Sequence, residues 1–254
     1  MLASDDVGAV RVLTLNRPER LNALDTVLRQ LLAEALATAQ REESVRAIMI
    51  AGAGPRAFCA GQDLNESSAL APADAARWMA SWKSYFEALS SFNKPLVAAI
   101  NGVAAGAGFQ TALLCDYRLA VPAARFIMAE IDVGLPCIVG GHLLSIHLGQ
   151  SRATEIVLSG RGIDSSEARQ IGLLHEIVEP GDLGSRALAA AERLAAKPPV
   201  AMRLNLTRFR GLLRAGLTEA EDASALYQAE AVATGEPQRV MAAFLNKRAP
   251  RRGG

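Results

Sequence analysis

The sequence predicts an α/β protein whose second half is helical. Apolar, β-branched segments alternate with amphipathic ones through roughly the first 140 residues, which favours layers of helix and sheet. Residues 94–102 (KPLVAAING) are nearly all apolar, as is typical of a strand that is buried on both faces. After about residue 140 the apolar residues recur at helical spacing. The 254 residues suffice for one large domain, or for one domain with a small appendage.

The first half predicts strands and helices in alternation. Asp25 is a candidate N-cap for the first helix, because an aspartate there can accept from a free N–H of the first turn. Two short strand candidates flank Pro122. The other predicted elements are a strand at 10–16, a helix at 26–43, a strand at 45–54, a loop at 55–68, a helix at 75–92 and a strand at 94–102.

The second half predicts helices with one short extended break at residues 176–180 (EIVEP). The last three helices have wide apolar faces, which fit either packing within the chain or contact with another subunit. The predicted helices lie at 142–150, 151–160, 165–173, 182–196, 198–213, 218–234 and 237–247.

Charge and cysteine content exclude several classes of function. The 27 basic and 26 acidic residues argue against an electrostatic nucleic-acid binder. Cys59, Cys115 and Cys137 lack metal-ligand spacing, so they are expected to be reduced cysteines of the core or near the site, with no metal. The N-terminal segment does not resemble a signal peptide, and no apolar run reaches membrane-spanning length. We therefore expect a cytoplasmic protein without nucleic-acid or membrane partners.

Two turns of small residues are candidate sources of backbone hydrogen-bond donors. Ala60 and Gly61 follow a predicted strand, and residues 106–108 (GAG) lie between an apolar strand and a helix. The first N–H groups of a helix are free, so a helix start next to a second turn could hold an oxyanion. Taken singly, each segment is also compatible with an ordinary close-packed turn.

Glu130 is the candidate acid/base. It ends an apolar run before a Gly and Pro loop, and apolar neighbours would raise the pKa of its carboxyl. Asp132 would face the same side in an extended segment, so it is either a second acid or a loop cap. His142 either reaches the site or opens a helix, whereas His147 and His175 are expected to be structural. A separate set of aromatic residues could shape a pocket or belong to the core: Trp78, Trp82 and Tyr85.

The order and spacing of these segments resemble the crotonase family, which contains enoyl-CoA hydratases and isomerases. The resemblance covers roughly residues 8–248. It is specific for the family and much less specific for the reaction. The segments that carry it are LNRPERLNAL (15–24), AFCAGQDL (57–64), KPLVAAINGVAAGAGFQTALLCDYRLA (94–120), FIMAEIDVGLP (126–136) and GQSRATEIVLSGRGIDSSEARQIGLLHEIV (149–178).

The resemblance implies a spiral of ββα units over residues 1–195, which carries the CoA site, and a helical trimerisation region over 196–254. It implies a homotrimer or a hexamer built from two trimers, and no cofactor apart from the coenzyme A of the substrate. The N–H groups of Ala60 and Ala107 would form the oxyanion hole, although the family usually has glycine at the second position. The residues implied for CoA binding are Leu21, Ala23, Asp63, Leu64, Phe244 and Lys247, the last two often from a neighbouring subunit.

Gln110 stands where hydratases of this family carry a second glutamate. An amide can position a water molecule but cannot exchange a proton at neutral pH. A single base at Glu130 therefore favours shifting the double bond of a 3-enoyl-CoA to the 2-position. Hydration or hydratase-lyase chemistry, with Gln110 positioning water, stays open, as does an acyl-CoA-binding paralogue without activity. Dienoyl-CoA isomerisation is disfavoured, because that subgroup has acids at the positions of Gln110 and Ile138.

Overall fold

Two β-sheets form the centre of the molecule. The computed structural model describes residues 1–69 and 74–248, apart from the side chains of residues 75, 76 and 244–248. The larger sheet has the order β1-β2-β3-β5-β7-β10 and the smaller one β4-β6-β8-β9. The strands are β1 (Leu2–Val7), β2 (Val10–Leu15), β3 (Ala47–Gly52), β4 (Ala57–Cys59), β5 (Leu96–Ile100), β6 (Val103–Ala105), β7 (Tyr117–Ala120), β8 (Arg125–Ile127), β9 (Gly162–Asp164) and β10 (Glu176–Ile177).

Strands β3 to β8 alternate between the two sheets along the chain. Strands β3, β5 and β7 pair in parallel in the large sheet, and β4, β6 and β8 do so in the small one. Helices separate β4 from β5 and β6 from β7, so the chain winds as repeated strand-strand-helix units. This confirms the α/β prediction and places the loops after β4 and β6 next to each other.

The helices surround the sheets and make up most of the second half of the chain. Within the described residues, none of them is both long and apolar enough to cross a membrane. They are α1 (Thr26–Arg41), α2 (Leu64–Ser68), α3 (Ala75–Ser91), α4 (Ala107–Leu114), α5 (Ile138–Leu148), α6 (Gln150–Ser159), α7 (Ser165–Gln170), α8 (Leu183–Ala195), α9 (Pro199–Ala233) and α10 (Glu236–Arg248).

Local sequence signals account for the best-predicted elements. The Asp25 carboxylate accepts a hydrogen bond from the Leu28 N–H at 2.8 Å, so the predicted N-cap of α1 is confirmed. Every residue of β5 is buried, as expected for a parallel strand that is covered on both faces. The three cysteines are unpaired and buried.

Other elements differ from the prediction. The expected loop at 55–68 contains β4 and α2, and three further strands (β1, β6 and β9) were not predicted. The three-residue strands β4, β6 and β9 are too short for a periodic pattern, whereas β1 has six residues. The two helices expected at 198–213 and 218–234 are a single helix, α9. Gly216 lies within this helix without interrupting it, and its bare backbone lies against the His142 ring: a Cβ there would lie 2.4 Å from the Cε1 atom of that ring.

Candidate active site

Helix α4 begins at the centre of the site. Gly106 precedes it with φ 49° and ψ −125°, a conformation that residues with a Cβ rarely adopt. A Cβ at Gly106 would lie only 3.4 Å from Glu130 Oε1. Ala107 is the first helical residue, so its N–H has no partner within the helix, and none is found elsewhere in the described chain. This N–H is therefore a free donor, which the oxyanion role predicted for Ala107 requires.

The prediction for Ala60 is wrong. Its N–H donates to the Leu21 carbonyl at 3.0 Å and is not free for a ligand. The chain here forms a short parallel bridge, in which the Leu24 N–H donates to Gly61 O (2.7 Å) and the Asp63 N–H donates to Leu24 O (3.1 Å). The Gln62 N–H, which lies between these bonds, has no partner among the described residues. The Gln62 N–H is thus the free donor of this turn, and Gln62 was not among the predicted site residues.

Glycines bring the two donor turns together. Gly61 has φ +90°, and a Cβ there would lie 2.6 Å from Ala105 O and 3.2 Å from Ala107 N. A Cβ at Gly108 would lie 2.2 Å from Cys59 O. The distances of 2.6 Å at Gly61 and 2.2 Å at Gly108 are shorter than real Cβ contacts allow, so side chains at these positions would force the loops apart. The bare backbone therefore keeps the turn after β4 against the start of α4.

Glu130 and Gln110 form a direct pair. The Gln110 amide is buried and donates from Nε2 to Glu130 Oε1 at 2.7 Å. A carboxylate accepts hydrogen bonds, so the amide must present its NH₂ group to it. Glu130 Oε2 is shielded from solvent and has no hydrogen-bond partner in the described part of the chain. One carboxylate oxygen is fixed in place and the other is free to take a proton.

Burial raises the pKa of the Glu130 carboxyl above its usual value of 4.5, because the charged form loses its hydration. The neighbouring Cys137 thiol and the Gln110 amide act in the opposite direction, since both favour the carboxylate. A carboxyl with a raised pKa can both accept and return a proton near neutral pH. The electrostatics of the pair therefore suit a general acid/base.

We predict that Gln110→Met shifts the acid limb of the kcat/KM profile to higher pH. Activity requires the Glu130 carboxylate, and this variant removes the 2.7 Å hydrogen bond that favours it. The pKa of Glu130 then rises further, so activity is lost at a higher pH as the solution is acidified. The measurement is the pH dependence of kcat/KM for both proteins. An unchanged or lowered acid limb would contradict this assignment.

Gly140 packs closely against the Gln110 side chain and its neighbours. A Cβ at this position in α5 would lie 2.6 Å from Cys137 Sγ, 2.8 Å from Met128 Sδ and 3.1 Å from Gln110 Nε2. The adjacent Gly141 has room, since the nearest atom to a Cβ there is Val157 Cγ2 at 3.8 Å. The two neighbouring helical glycines therefore differ in whether they constrain the site.

We predict that Gly140→Ala lowers kcat/KM by about 10- to 100-fold, because a displacement of the pair by even a fraction of an ångström disturbs proton transfer. Gly141→Ala is the matched control. It should retain activity and stabilise α5 by up to about 1 kcal/mol, the difference in helix propensity between the two residues. Equal activity of the two variants in steady-state assays would show that Gly140 does not position Gln110.

The remaining polar candidates lie away from Glu130. Asp132 is exposed on a 3₁₀ turn (Ile131–Val133), and its carboxylate faces Gly160, so the extended geometry expected for a second acid is wrong. His142 Nε2 lies 3.2 Å from Leu213 O on α9 and packs against that helix. His147 and His175 contact the Leu113 carbonyl and the Arg118 N–H, and burial lowers the pKa of each to about 4. Both histidines are structural, as predicted.

Of the predicted aromatic residues, Trp82 and Tyr85 belong to the core, and Trp78 is partly buried against it. Tyr85 is fully buried, and its hydroxyl lies 2.7 Å from Thr111 Oγ1, which donates to Ala107 O at 2.7 Å. This chain of hydrogen bonds fixes the first turn of α4. Trp82 is buried beneath the guanidinium of Arg29, at 4.1 Å from its carbon to the ring centroid. Thr111 had no sequence signal for this role, because its partner Tyr85 is 26 residues away.

Four of the predicted CoA-binding residues lie around the turn after β4: Leu21, Ala23, Asp63 and Leu64. Leu21 adopts a left-handed conformation with φ 53°, and Ala23 accepts from Arg17 at 2.6 Å. Asp63 caps α2 and also accepts from Arg17 at 2.9 Å. Burial alone would raise the pKa of Asp63, but the hydrogen bonds from Arg17 and Asn65 outweigh it and hold that pKa low. The Asp63 carboxylate is thus committed to the fold.

Leu64 is the first residue of α2 and is partly exposed beside this turn. Phe244 and Lys247 belong to α10, but their side chains lie outside the described residues. Over the described residues there is no group of three or more His, Cys, Asp or Glu side chains that could hold a metal ion.

Comparisons with known proteins identify relatives over nearly the whole chain. A profile described as enoyl-CoA hydratase/isomerase matches residues 5–253. The 2,3-dehydroadipyl-CoA hydratase of Escherichia coli K12 is 38% identical, over 95% of this chain and 94% of its own length. The 1,2-epoxyphenylacetyl-CoA isomerase of the same organism is 34% identical, over 95% and 94%. A crystal structure of an enoyl-CoA hydratase/isomerase from Pseudoalteromonas atlantica T6c superimposes with a TM-score of 0.88 at 30% identity, covering 99% of both chains.

Proposed function

The chain belongs to the enoyl-CoA hydratase/isomerase family and is an enzyme of that type, and we propose that it acts on the CoA thioester of an unsaturated acid through a thioester enolate. The observation that carries this proposal is that the Glu130 carboxylate lies next to Gly106, the residue before α4, while Ala107, the first residue of that helix, presents a free N–H. The N–H groups of Gln62 and Ala107 hold the thioester oxygen. We expect no cofactor apart from the coenzyme A of the substrate.

The two backbone donors act where negative charge develops. When a proton leaves C2 of the acyl group, the electron pair of the C–H bond moves toward the thioester oxygen. Two preorganised N–H groups in a site with little water stabilise that oxygen, and one such donor is worth about 3–4 kcal/mol. The turn after β4 and the start of α4 supply one donor each, and the glycines at 61 and 108 allow them to be adjacent.

A single proton carrier favours isomerisation of 3-enoyl-CoA to 2-enoyl-CoA. Glu130 Oε2 takes the proton from C2, the C2–C3 double bond forms as the enolate collapses, and the same oxygen returns the proton to C4. The substrate and product have the same atoms, so no water or second acid is consumed. Gln110 holds the other carboxylate oxygen at 2.7 Å and keeps Oε2 oriented. This reaction uses only groups that are present in the site.

Hydration of 2-enoyl-CoA is the second candidate. A relative that is 38% identical is named a 2,3-dehydroadipyl-CoA hydratase, and the amide carbonyl of Gln110 could position a water molecule. Glu130 would then be the only group able to exchange protons. Hydratase-lyase chemistry would use the same residues. The absence of a second carboxylate at position 110 makes isomerisation the better-supported reaction.

The test is to measure turnover of a 3-enoyl-CoA and the matching 2-enoyl-CoA by the native protein. We expect isomerisation of the 3-enoyl thioester to be at least about tenfold faster in kcat/KM than hydration of the 2-enoyl thioester. Faster hydration would establish the alternative reaction. Binding of both thioesters without turnover of either would reject the catalytic proposal and favour an acyl-CoA-binding role.

We predict that Gln110→Glu increases hydration of 2-enoyl-CoA and slows isomerisation. The new carboxyl would lie next to Glu130, where Gln110 Nε2 is now 2.7 Å from Oε1, so it supplies the second exchangeable proton. Two carboxyls at this distance share a proton, which raises one apparent pKa of the pair and lowers the fraction of Glu130 that is ionised and able to take the proton from C2. Both activities are measured at several pH values. Unchanged hydration would show that Gln110 does not decide the reaction.

We also infer that the chain forms homotrimers or hexamers. Helix α9 exposes several large apolar side chains, a pattern typical of protein interfaces. They are Leu204, Phe209, Leu212, Leu226 and Val232. Phe244 and Lys247 would then contact CoA bound to a neighbouring subunit. Analytical ultracentrifugation tests this, and a stable monomer at micromolar concentration would contradict it. A cytoplasmic location stays a prediction.

A further inference from the structure

A basic cleft lies at the end of the large sheet opposite the candidate active site. It is formed by the end of α1, the segments that lead into β3 and β5, and the junction of α8 and α9, and its volume is about 430 Å³. The cleft lies at the amino ends of β3 and β5 in the large sheet, whereas the active-site turns follow the carboxyl ends of β4 and β6 in the small sheet. No residue of the candidate active site lines the cleft. It is therefore separate from the Glu130 site.

Five basic residues and one acidic residue line this cleft: Arg41, Arg46, Lys94, Lys197, Arg203 and Glu43. The whole chain has a formal charge of only +1, so the concentration of positive charge here is local. None of the five basic side chains forms a salt bridge within the described residues. Unpaired like charges around one concave surface repel each other, and a bound anion would relieve that repulsion.

Part of the cleft wall is held in place by hydrogen bonds to main-chain carbonyls. Lys94 Nζ donates to Ala39 O and Glu42 O, both at 2.6 Å, and Arg46 Nη2 donates to Lys197 O at 2.7 Å. Burial lowers the pKa of Lys94; Glu42 and Glu43 act against this shift, and the nearby Arg11 and Arg46 act with it. Arg41, Lys197 and Arg203 are exposed, which leaves them available to a ligand.

The start of helix α9 adds to the positive electrostatic potential of the cleft. Its 35 residues begin at Pro199, and Pro198 provides no side-chain cap, so the positive end of the helix dipole lies at the cleft. We propose that this cleft binds a small phosphate-bearing ligand with more than one negative charge, of the size of a nucleoside diphosphate. The volume is in the range of small-molecule sites. The basic residues are confined to one cleft, which suits a small anion. A nucleic acid strand would need a longer positively charged surface.

The experiment is calorimetric titration of the native protein with inorganic pyrophosphate and with ADP. Coenzyme A is left out, because it carries the same phosphate groups and would compete for the cleft. We expect one equivalent of probe to bind at the cleft of each chain, with affinity that weakens as salt concentration rises. Absence of binding at low ionic strength, or binding that the cleft substitutions below leave unchanged, would overturn the proposal.

The double variant Lys197→Glu/Arg203→Glu should bind both probes at least about tenfold more weakly. The matched control is Arg152→Glu/Arg169→Glu, which makes the same change in net charge at two exposed positions outside the cleft. It should keep the native affinity. Equal weakening in the two double variants would show a general charge effect and overturn the proposal. Turnover of thioesters plays no part in this test, so its outcome is independent of the proposed reaction.

Discussion

Glu130→Gln should lower turnover of the enoyl-CoA substrate by about 10²- to 10⁴-fold, the contribution typical of a general acid/base. The substitution keeps the size of the side chain and removes its ability to exchange a proton. Gln110 Nε2 can still donate to the new amide oxygen in place of Oε1, so the geometry of the pair is preserved. We expect kcat to fall and the affinity for the thioester, measured by calorimetry, to stay within a few-fold of the native value.

The same variant should not be less stable at neutral pH. Because the pKa of Glu130 is raised in the folded protein, the stability linked to this group is present below the unfolded pKa and is lost as pH rises through the folded pKa. Replacing it with an amide removes the cost of a buried charge. The control is Asp132→Asn, an exposed carboxylate in the same turn, which should keep full activity. Full activity of Glu130→Gln, or a comparable loss in Asp132→Asn, would refute the assignment.

Gly61→Ala should abolish most activity by separating the two donor turns. Its Cβ would lie 2.6 Å from Ala105 O and 3.2 Å from Ala107 N, so the turn that carries the Gln62 N–H must move away. Loss of one oxyanion donor costs about 10²- to 10³-fold in kcat. Steady-state kinetics with a 2-enoyl- and a 3-enoyl-CoA measure the loss, and both reactions should decline together because both pass through the same enolate.

The control variant Gly172→Ala distinguishes the effect of moving the two turns apart from the effect of backbone strain alone. Gly172 has φ +84°, close to the +90° of Gly61, but a Cβ there would meet nothing within 4 Å. Both variants should therefore lose about 1–2 kcal/mol of stability from the left-handed conformation, which chemical denaturation can measure. Only Gly61→Ala should lose activity. If the two retain the same kcat, the contact between the turns does not serve catalysis.

Local signals in the sequence were sufficient for some features of the fold. Asp25 capped α1 as predicted, and β5 was buried along its whole length. Each of these depends on neighbours within a few residues. The combination of motifs also identified the family, because several short segments recur in a fixed order over most of the chain.

Features that depend on distant partners were not predictable in the same way. Which N–H of the turn after β4 is free depends on its pairing with Leu21 and Leu24, so the assignment moved from Ala60 to Gln62. The direct bond between Gln110 and Glu130 joins residues 20 apart in the chain. The contact between Gly216 of α9 and the His142 ring joins two separate helices, α9 and α5. None of these contacts leaves a periodic or compositional signal.

The central claim is that Glu130 is the only proton carrier of the site, and an isotope experiment tests it most directly. A 3-enoyl-CoA with deuterium at C2 is incubated with the native protein in ordinary water, and the product is examined by NMR and mass spectrometry. We predict 2-enoyl-CoA with deuterium transferred to C4, because one shielded carboxylate oxygen removes and returns the label. We predict almost no product with Glu130→Gln. Product formed by that variant at the native rate, or product without deuterium at C4, would contradict the account.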